Sequence, residues 1–439
     1  MPDSYRINPV QFAGDGTRRA ATYSIAAAVF LATYITWRPA EILFTFSDVI
    51  FIAGTLMLFA NRQIPLQPFG RLTPLWIMSA SLVMLGLTIG SLVNGDPMRL
   101  LVTGGQYLFS LLLLPSLLMG RPPGQWLILA RALILGSVCM EAFGIGIYFF
   151  YPGNFEDFQR FGPEFITGGG RLSAFLSDAN WNAAVIATTM PFLWFLRMRG
   201  RITTVPFIAY MLILIVALVL TASVTGMMST AAAALIFVAV GRAVPSVRYL
   251  LVGAALTALI VVNAVPMPRA FHQRVLPALV EGDISKAGTY TGRAGLANEA
   301  WGMVEHTGMI GMGADQYRRH SLDRAPVHNI FLLLWAEGGL IALVGWLGLL
   351  GIAITGGVIA YRRDRLVAAL AFAVTTIFIV YSNAAAHMYA RIWIVPFLLA
   401  LAPAFALVAA ERPAGQRWRK LHIKPEATEP QQPKHWSAA

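Results

Sequence analysis

Long apolar segments alternate with short polar ones along almost the whole chain. A helix of about 20 apolar residues crosses the roughly 30 Å of hydrocarbon in a bilayer. Twelve segments have this character, near residues 20–37, 42–60, 74–93, 100–118, 126–150, 180–196, 203–221, 223–241, 247–266, 340–360, 366–382 and 391–410. The pattern therefore predicts an all-α polytopic membrane protein with about 12 transmembrane helices.

Composition supports this class and excludes a soluble enzyme. Hydrophobic residues make up 57% of the 439 residues and charged residues only 12%, whereas soluble domains carry about 25% charged residues. The chain has one cysteine, Cys139, so no intrachain disulfide can form. Any external loop must therefore be ordered by other contacts.

The positions of the positive residues predict the topology. The net charge is +12, and Lys and Arg collect in the cytoplasmic loops of membrane proteins. With a cytoplasmic N-terminus, 20 Lys and Arg residues lie in the predicted internal segments and 5 in the short external loops. We therefore expect both termini to be cytoplasmic. The positive net charge is explained by this topology, and we expect no nucleic-acid partner.

The predicted organisation has five parts. Within the large outer loop, residues 292–305 are expected to form an amphipathic helix, because Leu296, Ala300, Met303 and Val304 recur at helical spacing. The parts are a cytoplasmic N-terminal segment (1–19), transmembrane helices 1–9 (20–266) with an outer loop near 151–179, a large periplasmic loop between helices 9 and 10 (267–327), transmembrane helices 10–12 (328–410) and a disordered cytoplasmic tail (411–439).

Few ionisable residues fall within the predicted spans. The main exceptions are Asp48, Arg131, Glu141 and Glu337. Ion-coupled transporters generally need carboxylates near the membrane midplane, so this scarcity argues against proton-driven transport. Candidate chemistry instead lies on the outer face, where the residues of interest are Arg171, Asp178, Asn180, Arg293, Arg324, His328 and Asn329.

These residue types suit the transfer of a group from a diphosphate. The planar guanidinium of an arginine grips a diphosphate through paired, charge-assisted hydrogen bonds. A histidine that is neutral near pH 7 can accept a proton from a hydroxyl. A lipid diphosphate is already a competent leaving group, so the protein need only stabilise its charge and activate the incoming sugar hydroxyl.

Each candidate also has a purely structural alternative. Asp178 and Asn180 could cap the sixth span, because both residue types accept hydrogen bonds from free backbone N–H groups. His328 could bond to the backbone, and Arg324 could belong to a solvated run of charge. The arginines Arg171 and Arg293 could pair with lipid headgroups or with loop carboxylates such as Glu299.

The sequence favours a reaction that uses neither metal nor cofactor. Metal-dependent glycosyl transfer commonly uses closely spaced acidic residues, and no Asp-x-Asp occurs in the chain. His272, His306 and His320 lack the i, i+4 spacing of a zinc-binding helix. No second cysteine is present to complete a thiolate site.

Several motifs resemble the bacterial O-antigen ligase and polymerase superfamily of membrane proteins. Their order and spacing over residues 168–342 carry the likeness, and the predicted topology agrees with it. The motifs are Arg171-Leu172 through Asp178-Ala179-Asn180, Thr291-Gly292-Arg293 leading to Trp301, the glycine-rich segment Gly308 to Gly313, His328-Asn329-Ile330-Phe331-Leu332 and Glu337-Gly338-Gly339-Leu340.

The resemblance implies a metal-independent glycosyltransferase of GT-C type in the bacterial inner membrane, active on its periplasmic face. The donor would be an undecaprenyl-diphosphate-linked glycan. Arg293 and Arg171 would bind the diphosphate, and His328 would deprotonate or orient the acceptor hydroxyl. Asn329, Asp178, Asn180 and Arg324 are the further candidates for substrate binding.

The resemblance leaves two activities open. A ligase transfers a finished glycan to lipid A core, whereas a polymerase joins lipid-linked repeat units of O-antigen, capsule or exopolysaccharide, often beside a chain-length regulator. In the ligase motif, His-Asn is followed by nine residues and then a Gly. Two residues later comes a Gly, Thr or Tyr. Here Gly339 fits, but Ala342 occupies the last place. Residues 151–179 carry a net negative charge, whereas the corresponding external loop of polymerases tends to be basic. This difference favours a ligase.

A lipid-linked glycan transporter is the alternative from another class of protein. In that case the external arginines would form a docking surface. Changes at Glu141 or Arg131 would then abolish activity, whereas changes at Arg293 and His328 would have little effect.

Overall fold

Helices make up most of the described chain. The computed structural model describes residues 16–36, 44–151, 165–242, 268–277 and 290–409. The helices are α1 (Gly16–Leu31), α2 (Phe46–Ala60), α3 (Thr73–Val93), α4 (Pro97–Leu108), which continues through a π-helical turn (Phe109–Leu113) into α5 (Leu114–Leu118), α6 (Pro123–Phe150), α7 (Ala179–Met198), α8 (Thr204–Thr221), α9 (Val224–Gly241), α10 (Tyr290–Thr307), α11 (Gln316–His320), α12 (Ile330–Tyr361), α13 (Arg365–Ser382) and α14 (Arg391–Ala409). Two strands, β1 (Ile166–Thr167) and β2 (Arg171–Leu172), form a short hairpin.

The structure confirms an all-α polytopic membrane protein. Within the described residues, eight helical segments are long and apolar enough to cross a membrane. They are Gly70–Val93, Pro97–Leu118, Pro123–Phe150, Thr204–Thr221, Val224–Gly241, Ile330–Tyr361, Arg365–Ser382 and Arg391–Ala409. Helices α1, α2 and α7 coincide with three further predicted spans. The span predicted at 247–266 and the tail predicted at 411–439 lie outside the described residues.

The span predicted at 180–196, which coincides with α7, is less apolar than the others because it is buried. All residues from Asn182 to Leu196 are buried inside the protein. A helix surrounded by other helices has no lipid-facing surface, so it accommodates polar residues that pair with its neighbours. Among these, Thr189 donates a hydrogen bond to Ser137 on α6 over 2.9 Å.

The tenth predicted span begins ten residues earlier than expected. The pattern placed it near 340–360, but α12 starts at Ile330 and is broken at Gly339, where φ is +64°. The break interrupts the helical hydrogen bonds, and backbone groups within a membrane bundle must find other partners. The glycine-rich turn supplies them: Met312 N–H donates to the Ala336 carbonyl over 2.8 Å, and Leu340 N–H donates to the Gly308 carbonyl over 2.9 Å.

Small residues allow α12 to cross α3 closely. A Cβ atom on Gly86 of α3 would lie 2.3 Å from the Gly338 carbonyl oxygen, and one on Gly345 would lie 2.6 Å from the Ser79 carbonyl oxygen. Such close approach is typical of small residues at membrane helix interfaces. The Gly338-Gly339 pair thus combines a helix break with a close helix contact.

A buried charge cluster fixes three helices at one end of the bundle. Arg391, the first residue of α14, forms hydrogen bonds with Asp48 on α2 and Gln106 on α4. Asp48 also belongs to the capping box that begins α2 with Thr45. The carboxylate that the sequence placed in the second span is therefore neutralised within the protein, at the end of the bundle that the charge distribution predicts to be external.

Candidate active site

Arg293 stands on the amphipathic helix predicted from the sequence. Helix α10 buries Leu296, Ala300 and Val304 and packs against α12, so the predicted apolar face is confirmed. Arg293 lies near the start of this helix and is half-buried. Its Nε atom is buried and has no hydrogen-bond partner among the described residues.

Glu299 does not neutralise Arg293. Its carboxylate accepts hydrogen bonds from Ser321 Oγ over 3.0 Å and from Leu322 N–H over 2.8 Å. It also contacts the Tyr317 hydroxyl. The acidic residue that could have paired with Arg293 instead anchors the loop before α12, which leaves the guanidinium charge of Arg293 to act on other groups.

A glycine turn and its hairpin place Arg171 inside the protein. Gly169 and Gly170 have φ values of +80° and +75°, a conformation that favours glycine. Arg171 is only 8% exposed. Its Nε donates to the Thr221 carbonyl and its Nη2 to Asn180 Oδ1, both over 2.8 Å.

Asp178 and Asn180 organise the start of α7. Asp178 is the N-cap and accepts hydrogen bonds from the backbone N–H groups of Asn180 and Trp181 over 2.6 and 3.2 Å. Asn180 Oδ1 accepts from Arg171 and from Ser223 Oγ at the start of α9. The predicted capping role is confirmed for Asp178, whereas Asn180 links the hairpin to α7 and α9.

His328 lies where the loop enters α12. The next residue, Asn329, is the N-cap of α12 and accepts hydrogen bonds from Phe331 and Leu332 N–H over 2.9 and 3.1 Å. Burial lowers the pKa of His328 below its usual value, and the positive charge of Arg293 lowers it further, while Asp178 acts in the opposite direction. His328 is therefore neutral at pH 7, and the charges of Arg293 and Asp178 both act on it.

Arg324 stands apart from this group. It is exposed, with a φ value of +50°. No described residue forms a hydrogen bond or ion pair with its side chain. Its predicted role in substrate binding gains no supporting contact from the structure.

His387 is a second histidine that the sequence analysis missed. It lies in the short connection between α13 and α14, and its Nδ1 is 3.2 Å from the Tyr389 hydroxyl. Burial lowers the pKa of His387; Asp315 opposes this effect, and the nearby His328 and Arg318 add to it. The sequence offers one indication of His387, which is that it lies in a short connection at the predicted external end. No local motif links it to His328.

Apart from Arg324, the candidate residues gather where several helix ends meet. Arg171 and Asn180 join the end of α8 to the starts of α7 and α9. Separately, Asn329 Nδ2 contacts Asn383 Oδ1 at 3.4 Å and joins the start of α12 to the end of α13, which packs against α7 and α9. Within the described parts of the chain, no three His, Cys, Asp or Glu side chains are placed to hold a metal ion together. A cationic Arg293 near a neutral His328 can bind an anion and accept a proton.

Fold and site together define a polytopic helical membrane protein with an arginine and histidine site at one end of its bundle. Residues 209–347 match the family model described as O-antigen ligase. The match covers about a third of the chain and includes Arg293, Arg324, His328 and Asn329. It confirms the resemblance to the O-antigen ligase superfamily. No curated protein matches the chain.

Proposed function

We propose that the protein is a membrane glycosyltransferase that transfers an undecaprenyl-diphosphate-linked glycan to an acceptor hydroxyl, in the manner of an O-antigen ligase. The observation that carries the proposal is the half-buried Arg293, whose Nε has no hydrogen-bond partner among the described residues and whose charge acts on His328, where burial and that charge lower the pKa. Both residues lie within the segment that matches the family. We assign the reaction to the periplasmic face of the inner membrane, because the site lies at the end of the bundle whose short loops carry few basic residues.

The proposed reaction breaks the bond between the glycan anomeric carbon and the diphosphate oxygen. The acceptor oxygen forms a new bond to that carbon, and the bonding electron pair leaves with the diphosphate. His328 takes the proton of the acceptor hydroxyl. Arg293 stabilises the charge that develops on the leaving group, so the step requires neither metal nor cofactor.

We propose that the remaining candidates support this step. Arg171 adds positive charge for the diphosphate, and its bonds to Thr221 and Asn180 hold that charge in place. Asp178 adjusts the basicity of His328. Asn329 and Arg324 are proposed to bind the glycan, because one begins α12 beside His328 and the other is exposed in the loop before it.

A polymerase of lipid-linked repeat units uses the same donor chemistry. The ligase motif differs here at Ala342, which is fully buried. A Cβ on Gly86 would lie 2.7 Å from the Ala342 backbone nitrogen, so Ala342 belongs to the crossing of α3 and α12. The departure from the motif therefore affects helix packing, and the ligase remains the preferred activity.

The test compares the surface glycans of a deletion strain complemented with wild type or with His328→Ala. A ligase leaves long chains on undecaprenyl diphosphate and bare lipid A core when His328 is lost. A polymerase leaves single repeat units. Normal glycans throughout would contradict both activities.

A control variant separates catalysis from folding. His306 is exposed on α10, so His306→Ala should complement fully, at wild-type protein levels. In a transporter, Arg293→Ala and His328→Ala would retain activity, and that result would overturn the glycosyltransferase assignment.

A further inference from the structure

Glu141 and Asn182 form a pair in the interior of the bundle, outside the site described above. Glu141 lies on α6 and Asn182 in the first turn of α7, and both side chains are fully buried. Asn182 Nδ2 donates to Glu141 Oε2 over 3.2 Å and to the Leu172 carbonyl over 3.3 Å. The pair thus touches the residue that follows Arg171 in the hairpin.

Two buried oxygen atoms of this pair have no hydrogen-bond partner among the described residues. These are Glu141 Oε1 and Asn182 Oδ1. Both are acceptors if Glu141 is ionised, and leaving buried polar atoms unpaired is costly. No described arginine or lysine forms an ion pair with Glu141, and an unpaired carboxylate within a membrane bundle is more costly still.

We propose that Glu141 is held as the neutral carboxylic acid and that its proton bridges Glu141 Oε1 and Asn182 Oδ1. One proton then satisfies both atoms. The side chains form a closed acid–amide pair, in which Asn182 donates one N–H to Oε2 and the other to Leu172. The buried polar groups are matched without any counter-charge.

The pair is a positioning element for the hairpin. It fastens Leu172, and with it the neighbouring Arg171, to α6 and α7. Its consequence for glycan transfer rests on the proposed function, whereas its protonation does not.

Infrared spectroscopy of the full-length protein in lipid nanodiscs tests the protonation directly. At pH 7 the difference spectrum between Glu141→Gln and wild type should show the loss of one protonated carboxylic acid carbonyl band. Glu305 is exposed on α10, so Glu305→Gln should remove no such band. Loss of a carboxylate band in Glu141→Gln would overturn the proposal.

Conservative replacement tests the positioning role. We expect Glu141→Ala and Asn182→Ala to lower the transfer rate by about tenfold or more, because each leaves buried partners unsatisfied. Glu141→Gln should restore the rate to within about twofold, since an amide pairs with Asn182 as the neutral acid does. A folded but inactive Glu141→Gln would contradict the neutral pair. Absence of transfer by wild type would contradict the proposed function and leave the infrared result standing.

Discussion

Arg171 Nη2 donates a hydrogen bond to Asn180 Oδ1 over 2.8 Å and so joins the hairpin to the first turn of α7. A second bond, from Nε to the Thr221 carbonyl, ties the same guanidinium to the end of α8. One buried side chain therefore fixes three elements around the candidate site. The planar fork of arginine makes this arrangement possible, because it presents donors in fixed directions.

We predict that Arg171→Lys destabilises the protein. An ammonium group cannot reproduce both bonds, so the unfolding free energy should fall by about 1–3 kcal/mol. Thermal unfolding in detergent measures the effect. Arg269 is exposed, so Arg269→Lys is the matched control and should unfold like wild type. An unchanged midpoint for Arg171→Lys would show that its bonds do not hold the hairpin.

The glycine-rich turn gives a prediction about stability that is independent of the reaction. At Gly311 the φ value is +87°, and an added Cβ would lie 2.4 Å from the Glu337 carbonyl oxygen. Gly311→Ala should therefore cost about 1–3 kcal/mol or more in stability. Gly351 lies on α12 with no atom within 4 Å of an added Cβ, so Gly351→Ala should be neutral or stabilising. Equal unfolding temperatures for the two variants would contradict the close packing of the glycine-rich turn against the break in α12.

The pH dependence of transfer should report the environment of His328. Its pKa is lowered by burial and by Arg293, so the base is present at pH 7 and the rate should fall only as the pH drops below about 6.5. Removing the Arg293 charge with Arg293→Gln should move this acidic limb to higher pH. Asp178→Asn keeps a capping residue but removes the negative charge, and should move the limb to lower pH. Profiles of kcat against pH measure both shifts, and shifts in the opposite directions would contradict the arrangement.

Local features of the fold follow from the sequence. Leu296, Ala300 and Val304 recur at helical spacing, and that spacing alone predicts the buried face of α10. The capping residue Asp178 precedes an apolar run, which is a local signal for a helix start. Such features depend on neighbours within one or two turns, so they need no knowledge of the tertiary structure.

The rest of the site depends on contacts between distant segments. The proximity of His387 and His328 arises because α12 and α13 bring two loops together, and no spacing in the sequence encodes it. The same holds for Arg391 and Asp48, which pair across the bundle. The early start of α12 was missed because a glycine pair usually ends a helix, whereas here the turn at Gly308 to Gly313 supplies the lost hydrogen bonds.

The most direct test is transfer by purified protein in lipid vesicles, with an undecaprenyl-diphosphate-linked glycan as donor and lipid A core as acceptor. Wild type and His306→Ala should release undecaprenyl diphosphate and glycosylate the acceptor. Arg293→Lys should be about tenfold slower or worse, because an ammonium lacks the paired donors, and His328→Ala should be slower by about 10²-fold. Wild-type rates in both variants would contradict the account.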